Sequence, residues 1–312
     1  MQKGISLVLV VALVWSLNAQ SAFAQAAVGP PGLGQLEEIL YGRVQEGALL
    51  SRLERIEMDV LGTIDSNSAF LVRVQKLLNM LTGAEAEVSL KMKLNATEWA
   101  MFQSINEGPS IARRLDVLET AMFGQPRPSQ GIAARLEELA ALMWPGGRVY
   151  TTGRLVPKGT LVKIELLTEL NSERSKANDV VQYKVVEDVR IDGAIAIPAG
   201  TVGQGHVISA TPSGNLGRDG LVQVDFGSVS AMDSTRVPIA VAERASEQNR
   251  SLELAAGAGL AGVILLSNPI GLAAGYFVRG RAHVVPVGTV FYVETANDVN
   301  VNALSLAPVV NR

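Results

Sequence analysis

The chain contains no cysteine and only two histidines, His206 and His283, among 312 residues. It can therefore form no disulfide, no thiol nucleophile, no Cys-based zinc site and no lipid attachment through a cysteine. Aromatic residues make up 5% and charged residues 18%, and Lys plus Arg (27) nearly balance Asp plus Glu (30), leaving a formal charge of -3. No net basic field draws such a chain to nucleic acid or to anionic lipid, so a nucleic-acid partner is not expected. An aromatic-lined ligand pocket has little to be built from. What is abundant is small and apolar: 30 glycines, 48% hydrophobic residues and a mean hydropathy of +0.24. That balance suits closely approaching elements and membrane contact, and the length suggests about two domains.

Lys3, the apolar stretch Ile5 to Leu17 and the small-x-small site Ala22-Phe23-Ala24 read as an export signal over residues 1–24. The apolar stretch is shorter than the ~20 residues that cross a bilayer; the alternative is an uncleaved inner-membrane anchor. An exported chain without cysteine fits a bacterial periplasm better than a eukaryotic secretory route. In that setting Asn95-Ala96-Thr97 is a chance match to the glycosylation pattern. A linker over 25–34, with Gly29-Pro30-Pro31-Gly32, cannot continue a helix.

Residues 35–145 hold a repeat: apolar, then basic-apolar, then apolar-acidic, then apolar, then glycine. Its best copies are Leu49, Arg52-Leu53, Ile56-Glu57, Val60, Gly62 and Ile111, Arg114-Leu115, Leu118-Glu119, Met122, Gly124, with a third at Ile132, Arg135-Leu136, Leu139, Met143, Gly146. Weaker copies surround Arg73 and Lys93, and a truncated one runs Leu33, Leu36-Glu37, Leu40, Gly42. The basic residue recurs about every 20 to 21 positions, the mark of a repeat architecture. Apolar spacings of four, three and four predict one short amphipathic helix per unit, ended by glycine in the left-handed position. Asp65-Ser66-Asn67-Ser68 and Pro109-Ser110 supply start signals. Helices this short need neighbours, so a bundle or an α-solenoid is expected rather than a continuous coiled coil. The recurring Arg or Lys and Glu read as a solvated flank with weak intrahelical pairs, so that Arg114→Ala is expected to cost under about 1 kcal/mol.

From 148 to 312 the apolar period switches to two, as in Val162, Ile164, Leu166 and in Val222, Val224, Phe226, which predicts an all-β barrel or sandwich. The fold class expected for the whole chain is thus α+β, a short-helix repeat followed by that β domain. Three corners share one pattern: Pro157-Lys158-Gly159-Thr160, Pro198-Ala199-Gly200-Thr201 and Pro286-Val287-Gly288-Thr289. In each, proline presets the turn and glycine takes positive φ. With Asn171-Ser172, the strand Val180 to Val186, Glu187-Asp188-Val189 and Ile197-Pro198-Ala199-Gly200-Thr201 leading into Gly203, the region from Leu155 to Gly227 resembles the C-terminal barrel of TrbI-like subunits of conjugation and type IV secretion systems. The resemblance implies an extracytoplasmic barrel that assembles into a ring and carries a helical hairpin reaching into the outer membrane. An export signal and a helical repeat stand where those subunits have an inner-membrane anchor and a proline-rich stretch.

The matching insertion is residues 252–279. Leu254 to Val278 carries no charge and is interrupted by Ser267-Asn268-Pro269, which predicts two half-helices. Ala255 and Gly259, Gly262 with Ala258, and Gly271 and Gly275 are spaced for close helix contact, with Pro269 at the fold-back. The alternative is a buried hairpin packed on the β domain. Gly257 to Gly262 matches a dinucleotide fingerprint by letter but lacks the acidic partner about 20 residues on. His206, His283 and the loop Gly214 to Gly220 with Arg218 read as ordinary strand and hairpin features. No catalytic residue, cofactor or metal site is expected. The reading is a non-enzymatic protein of the cell envelope, in the periplasm at the outer membrane, possessing envelope proteins, further copies of itself or outer-membrane lipid as partners. The alternative is a soluble periplasmic module binding peptidoglycan or polysaccharide.

Overall fold

The computed structural model describes residues 32–83, 88–213, 220–256, 263–264, 277–278 and 284–306. The segment 1–24, most of the linker, Arg218, His283, Gly259, Gly262, Pro269, Gly271 and Gly275 lie outside these residues. The repeat units form six helices: α1 (Leu33–Tyr41), α2 (Leu49–Leu61), α3 (Phe70–Thr82), α4 (Leu90–Phe102), α5 (Ile111–Phe123) and α6 (Ile132–Met143). Gly42, Gly62, Gly83 and Gly124 end four of them at φ 77°, 74°, 85° and 84°, and Gln103 ends α4 at φ 54°. This is the left-handed stop that glycine adopts without strain. Gly146 does not serve α6 in this way. Trp144 is already extended, Pro145 cannot continue the helix, and Gly146 instead takes φ 65° inside the single 3-10 turn Pro145–Gly147.

Neither expected start signal caps its helix through a side chain. Asp65 accepts the N–H groups of Asn67 and Ser68 at 3.1 Å each, forming a turn ahead of α3, while Ala69 occupies the cap itself. Ser110 makes no side-chain cap, whereas Ser89 caps α4 by accepting the Met92 N–H at 3.1 Å. Apolar residues from the stripes of all six helices, Leu53, Leu115 and Leu136 among them, merge into one buried core, while Leu49 and Met122 at the stripe ends stay exposed. α1, α2 and α3 pack on one another, as do α4, α5 and α6, and the triplets meet through α1 with α5, α2 with α6 and α3 with α4. The helices thus close as a bundle, where a solenoid would leave each in contact only with its sequence neighbours. At the α2–α6 meeting, a Cβ on Gly131 would stand 2.7 Å from the Val60 carbonyl oxygen, so only glycine admits this approach.

The recurring basic and acidic residues are neither solvated nor paired within a helix. Arg52 grips Glu37 of the preceding helix through Nε and Nη2 at 2.8 and 2.7 Å. Arg73 grips Glu57 at 2.8 and 2.6 Å, Arg114 grips Glu98 at 2.9 and 2.7 Å, and Arg135 grips Glu119 at 2.9 and 2.5 Å. All eight residues are buried. Each glutamate also accepts a backbone N–H from the loop eight residues on: Gln45, Asp65, Asn106 and Arg127, at 3.0, 3.2, 3.0 and 2.6 Å. The α3–α4 junction lacks this unit. Leu78 stands at the glutamate position and Lys93 at the arginine position, and Lys93 pairs instead with Glu137 of α6.

The β domain begins with β1 (Tyr150–Val156), β2 (Leu161–Leu166), β3 (Leu170–Asn171), β4 (Val180–Val185), β5 (Val189–Ile191), β6 (Ala194–Ile197), β7 (Val202–Thr211), β8 (Leu221–Ser230) and β9 (Arg236–Ala240). Helix α7 (Glu243–Ala256) follows, then β10 (Val263–Ile264), β11 (Phe277–Val278), β12 (Val284–Val285), β13 (Val290–Thr295) and β14 (Val299–Ser305). A closed antiparallel barrel runs β13-β2-β4-β7-β8-β9, and a second sheet runs β1-β14-β6-β5. The alternating residues fill the barrel as expected. Tyr183, Phe226 and Phe291 meet edge to face inside it, with ring centroids 5.6 Å apart in each pair. The insertion differs from two half-helices at its described positions: Val263 pairs with Val278 and Ile264 with Phe277 as antiparallel strands, and the helical part ends at Ala256. Ala255 lies in the last turn of α7. Among the described residues no helix is long and apolar enough to cross a membrane.

Leu115→Ala should cost about 2–5 kcal/mol in urea unfolding. Arg114→Ala should match it, at about 3–5 kcal/mol, because it strands the buried Glu98 carboxylate. Glu57→Leu combined with Arg73→Met should restore most of the stability lost in either single variant, since the pair leaves together, as at Leu78 and Lys93. The same unfolding measurement should depend on acid. Burial acts to raise the Glu37 and Glu119 carboxyls, yet the guanidiniums of Arg52 and Arg135 and the loop N–H groups hold both below the ordinary value of 4.5. Lowered folded values mean that the unfolded chain takes up protons first. The stability these two groups contribute should be constant above pH 4.5 and fall as pH drops through their folded values.

Candidate functional site: barrel corners, junction and the root of the insertion

The three Pro-x-Gly-Thr corners are one structure used three times. Gly159, Gly200 and Gly288 take φ 78°, 83° and 87°. Each proline carbonyl accepts from its threonine twice, from N–H at 3.2, 3.4 and 3.2 Å and from Oγ1 at 2.7, 2.9 and 2.8 Å in chain order. Proline therefore stands first in the turn and supplies the acceptor. Each corner also pairs with the end of a neighbouring strand. Gly159 N–H donates to the Thr295 carbonyl and Thr295 N–H to the Thr160 carbonyl; the same exchange joins Gly200 and Thr201 to Val185, and Gly288 and Thr289 to Leu166. The corners thus seal β2 to β13 at both ends and β7 to β4 at one.

The Pro198 corner does more, because the helical domain sits on it. Ile105 in the α4–α5 loop donates its N–H to the Ala199 carbonyl at 2.8 Å, and the Ile105 carbonyl oxygen lies 2.1 Å from where a Cβ on Gly200 would be. Asp188, between β4 and β5, accepts the Trp99 indole N–H at 3.1 Å and the Ala199 N–H at 2.9 Å. The Arg190 guanidinium lies over the Trp99 ring, 5.7 Å from its centroid. Asn95 completes the joint by donating to the Met232 carbonyl at 2.9 Å while accepting from Arg114 at 2.7 Å, so one ion pair of the bundle continues into the β domain. Asn95 is 0% exposed, which no glycosylation acceptor could be. Apolar Met92, Trp99, Ile105, Trp144, Ile195 and Leu304 fill the seam. The glycosylation pattern marked Asn95 for the wrong reason and nothing marked Trp99; the one signal for Ile105 was the apolar residue that recurs two places beyond four of the helix ends, at Val44, Ile64, Ile105 and Pro126.

The insertion is rooted beside β13 on its way out and on β3 on its return. β13 pairs with β9 only at Glu294 and Thr295, leaving Tyr292 without a strand on that side. α7 covers the gap: Asn249 donates to the Tyr292 carbonyl at 2.8 Å and accepts its N–H at 2.7 Å, as a neighbouring strand would. Glu294 accepts the Ala245 N–H at 2.8 Å in the first turn of α7, and Arg244 donates to the Gly159 carbonyl at 2.9 Å. The chain returns through β12, which pairs with β3 and runs into the Pro286 corner and β13. A helix rather than a strand precedes Gly257 to Gly262, which removes the context a dinucleotide fingerprint needs.

Other chemistry is sparse. His206 is exposed on β7, and among the described residues no three His, Asp or Glu side chains converge as metal ligands. Burial holds the Tyr183 phenol well above its ordinary range. A cleft of about 680 Å³ opens where the ion-pair series lapses, between Val72, Met80, Lys93, Ala133 and Glu137, and its two charges satisfy each other.

Gly200→Ala and Gly288→Ala incur the same left-handed strain, about 1–2 kcal/mol, but only the first collides with a neighbour, since nothing lies within 4 Å of a Cβ on Gly288. Calorimetry should therefore show a single transition for Gly288→Ala. Gly200→Ala should split it into separate helical and β transitions, with new proteolytic cleavage at the joint.

No protein-family model and no curated protein matches the chain. Among solved structures it is similar to ComB10 of the Com type IV secretion system of Helicobacter pylori, at 13% identity and a TM-score of 0.26, over 46% of this chain and 88% of that one.

Proposed function

We propose that the chain is a non-enzymatic structural subunit of a bacterial cell envelope, exported to the periplasm, with its barrel docked at the outer membrane through residues 252–279, as part of a secretion or transport assembly. The carrying observation is the root of the insertion. An uncharged stretch, Leu254 to Val278, leaves from α7, which is bonded to β13, and returns through β12, which pairs with β3 and leads directly into β13. Asn249 of α7 satisfies the Tyr292 backbone that β9 leaves open, so apolar length is added there without exposing a strand edge. The bundle, joined to the barrel through Asn95, Trp99 and Ile105, supplies the surface for envelope partners. The scarcity of histidine and the absence of cysteine support a structural rather than a catalytic role.

Deleting Leu254 to Val278 and bridging with a short Gly/Ser linker tests this. The parent should sediment with outer membranes and resist a salt wash, since hydrophobic insertion is not screened as surface ion pairs are. The variant should keep its β-sheet circular dichroism and move to the soluble fraction. A folded variant that still sediments with membranes would remove the insertion as the anchor.

A further inference from the structure

The Ile105 loop is one of four that the buried ion pairs fix in the same way. In each, the N–H three places after the helix-ending residue donates to the paired glutamate, from Gln45, Asp65, Asn106 and Arg127. The residue just before that N–H is apolar every time: Val44, Ile64, Ile105 and Pro126. Ile105 is 3% exposed because it is docked on a Pro-x-Gly-Thr corner of the barrel, whereas Val44 and Ile64 are 45% and 44% exposed. Among the described residues neither the Val44 nor the Ile64 N–H has a hydrogen-bond partner. Pro126 has no N–H to give, which removes the fourth loop from consideration.

The corners repeat the same division. The Pro198 corner is occupied by Ile105, and Arg244 covers Gly159. The Pro286 corner is open: Val287 is 58% exposed and Gly288 has free space where Gly200 meets a carbonyl. One chain therefore holds an occupied loop-and-corner pair, together with open loops and an open corner of the same construction. Charge selects among the loops. The sequence entering the Pro286 corner carries Arg279 and Arg281 and no acid between Glu253 and Glu294. Asp65 adjoins Ile64, with Asp59 close by in sequence, whereas the charges flanking Val44, Arg43 and Glu46, cancel.

The geometry points to a second copy of this chain as the occupant, its Pro286-Val287-Gly288-Thr289 corner seated on the Ile64 loop as Pro198-Ala199-Gly200-Thr201 is seated on the Ile105 loop. The Ile64 N–H then donates to the Val287 carbonyl of the neighbouring copy. Loop and corner are different surfaces, so the contact is heterologous, and copies continue head to tail into a ring or a filament. This names the partner within the reading of the chain as an assembly subunit and rests on that reading.

The lack of cysteine makes the test direct. Residues joined by a backbone hydrogen bond lie within the Cα separation a disulfide spans. The full chain carrying Ile64→Cys and Val287→Cys, oxidised in isolated envelopes, should give dimers, trimers and larger species on a non-reducing gel. The chain carrying Leu142→Cys and Val287→Cys, exposed on α6 and on the same corner, should remain monomeric. Ile64→Glu in the cysteine-free chain should shift the assembly in detergent to smaller size. Absence of the ladder, an equal ladder from the Leu142 variant, or a stronger one from Val44→Cys with Val287→Cys would each overturn the assignment. Membrane sedimentation of the same samples is read separately: a ladder without sedimentation would keep the contact between copies and reject membrane docking, and sedimentation without a ladder the reverse.

Discussion

The bidentate grip of an arginine on the glutamate of the preceding helix is the constraint on which the rest of the molecule depends. Taking both charges out of water costs several kcal/mol per ion, which the geometry must return through paired hydrogen bonds and the extra loop N–H. A slip of one residue in the contact between helices would break all three bonds at once. Each pair thus leaves its two helices a single relative register, and the loop between them a single course. Because the same unit is applied at four junctions, the loops present equivalent residues in equivalent places. At one of them this places Ile105 on the barrel, and Arg114 reaches through Asn95 to hold Met232.

The β domain is held by an equally repetitive device, with backbone polarity in place of charge. A Pro-x-Gly-Thr corner satisfies its own threonine and then exchanges two hydrogen bonds with a strand end, so the barrel closes with its terminal amides paired. The joint between domains is the meeting of these two devices. Its polar core, Asp188 with the Trp99 indole and the Ala199 N–H, is what a rigid connection requires, since apolar packing alone would permit sliding.

Much of this was legible in the sequence because it repeats. The apolar spacing located every helix of the bundle, the glycines located most of their ends, and the three corners stood out as written. The burial of the charges was missed for a reason that the sequence itself contained. Arg52 and Glu57, or Arg114 and Glu119, lie five residues apart, which on a helix puts them on different faces instead of the three or four apart that pair. Glutamate of one helix and arginine of the next, by contrast, keep a separation of 15 or 16 residues at all four junctions. A constant interval between helices, together with the joint replacement by Leu78 and Lys93, was the signal of an interhelical pair. The joint and α7 had no such signal. Trp99 meets Asp188 and Asn249 meets Tyr292 across long stretches of chain, and α7 is held by a gap in the barrel that only the closed fold creates.

A fold made by repeating two small units carries a consequence for surfaces. Every copy of a unit that is not consumed in folding remains outside with its binding geometry intact, because what shapes it, the ion pair or the threonine bonds, lies within the unit. Natural proteins usually blunt such spare surfaces, as Pro126 does by lacking an N–H and Arg244 by covering Gly159. The Ile64 loop and the Pro286 corner are left unblunted, apolar and hydrogen-bond competent, the corner standing immediately after the insertion that returns to β13. Were the chain a monomer, these would be liabilities for aggregation. Their survival beside two blunted relatives is what the proposed contact between copies requires, and the corner in that proposal directly follows in sequence the return of the apolar insertion through β12.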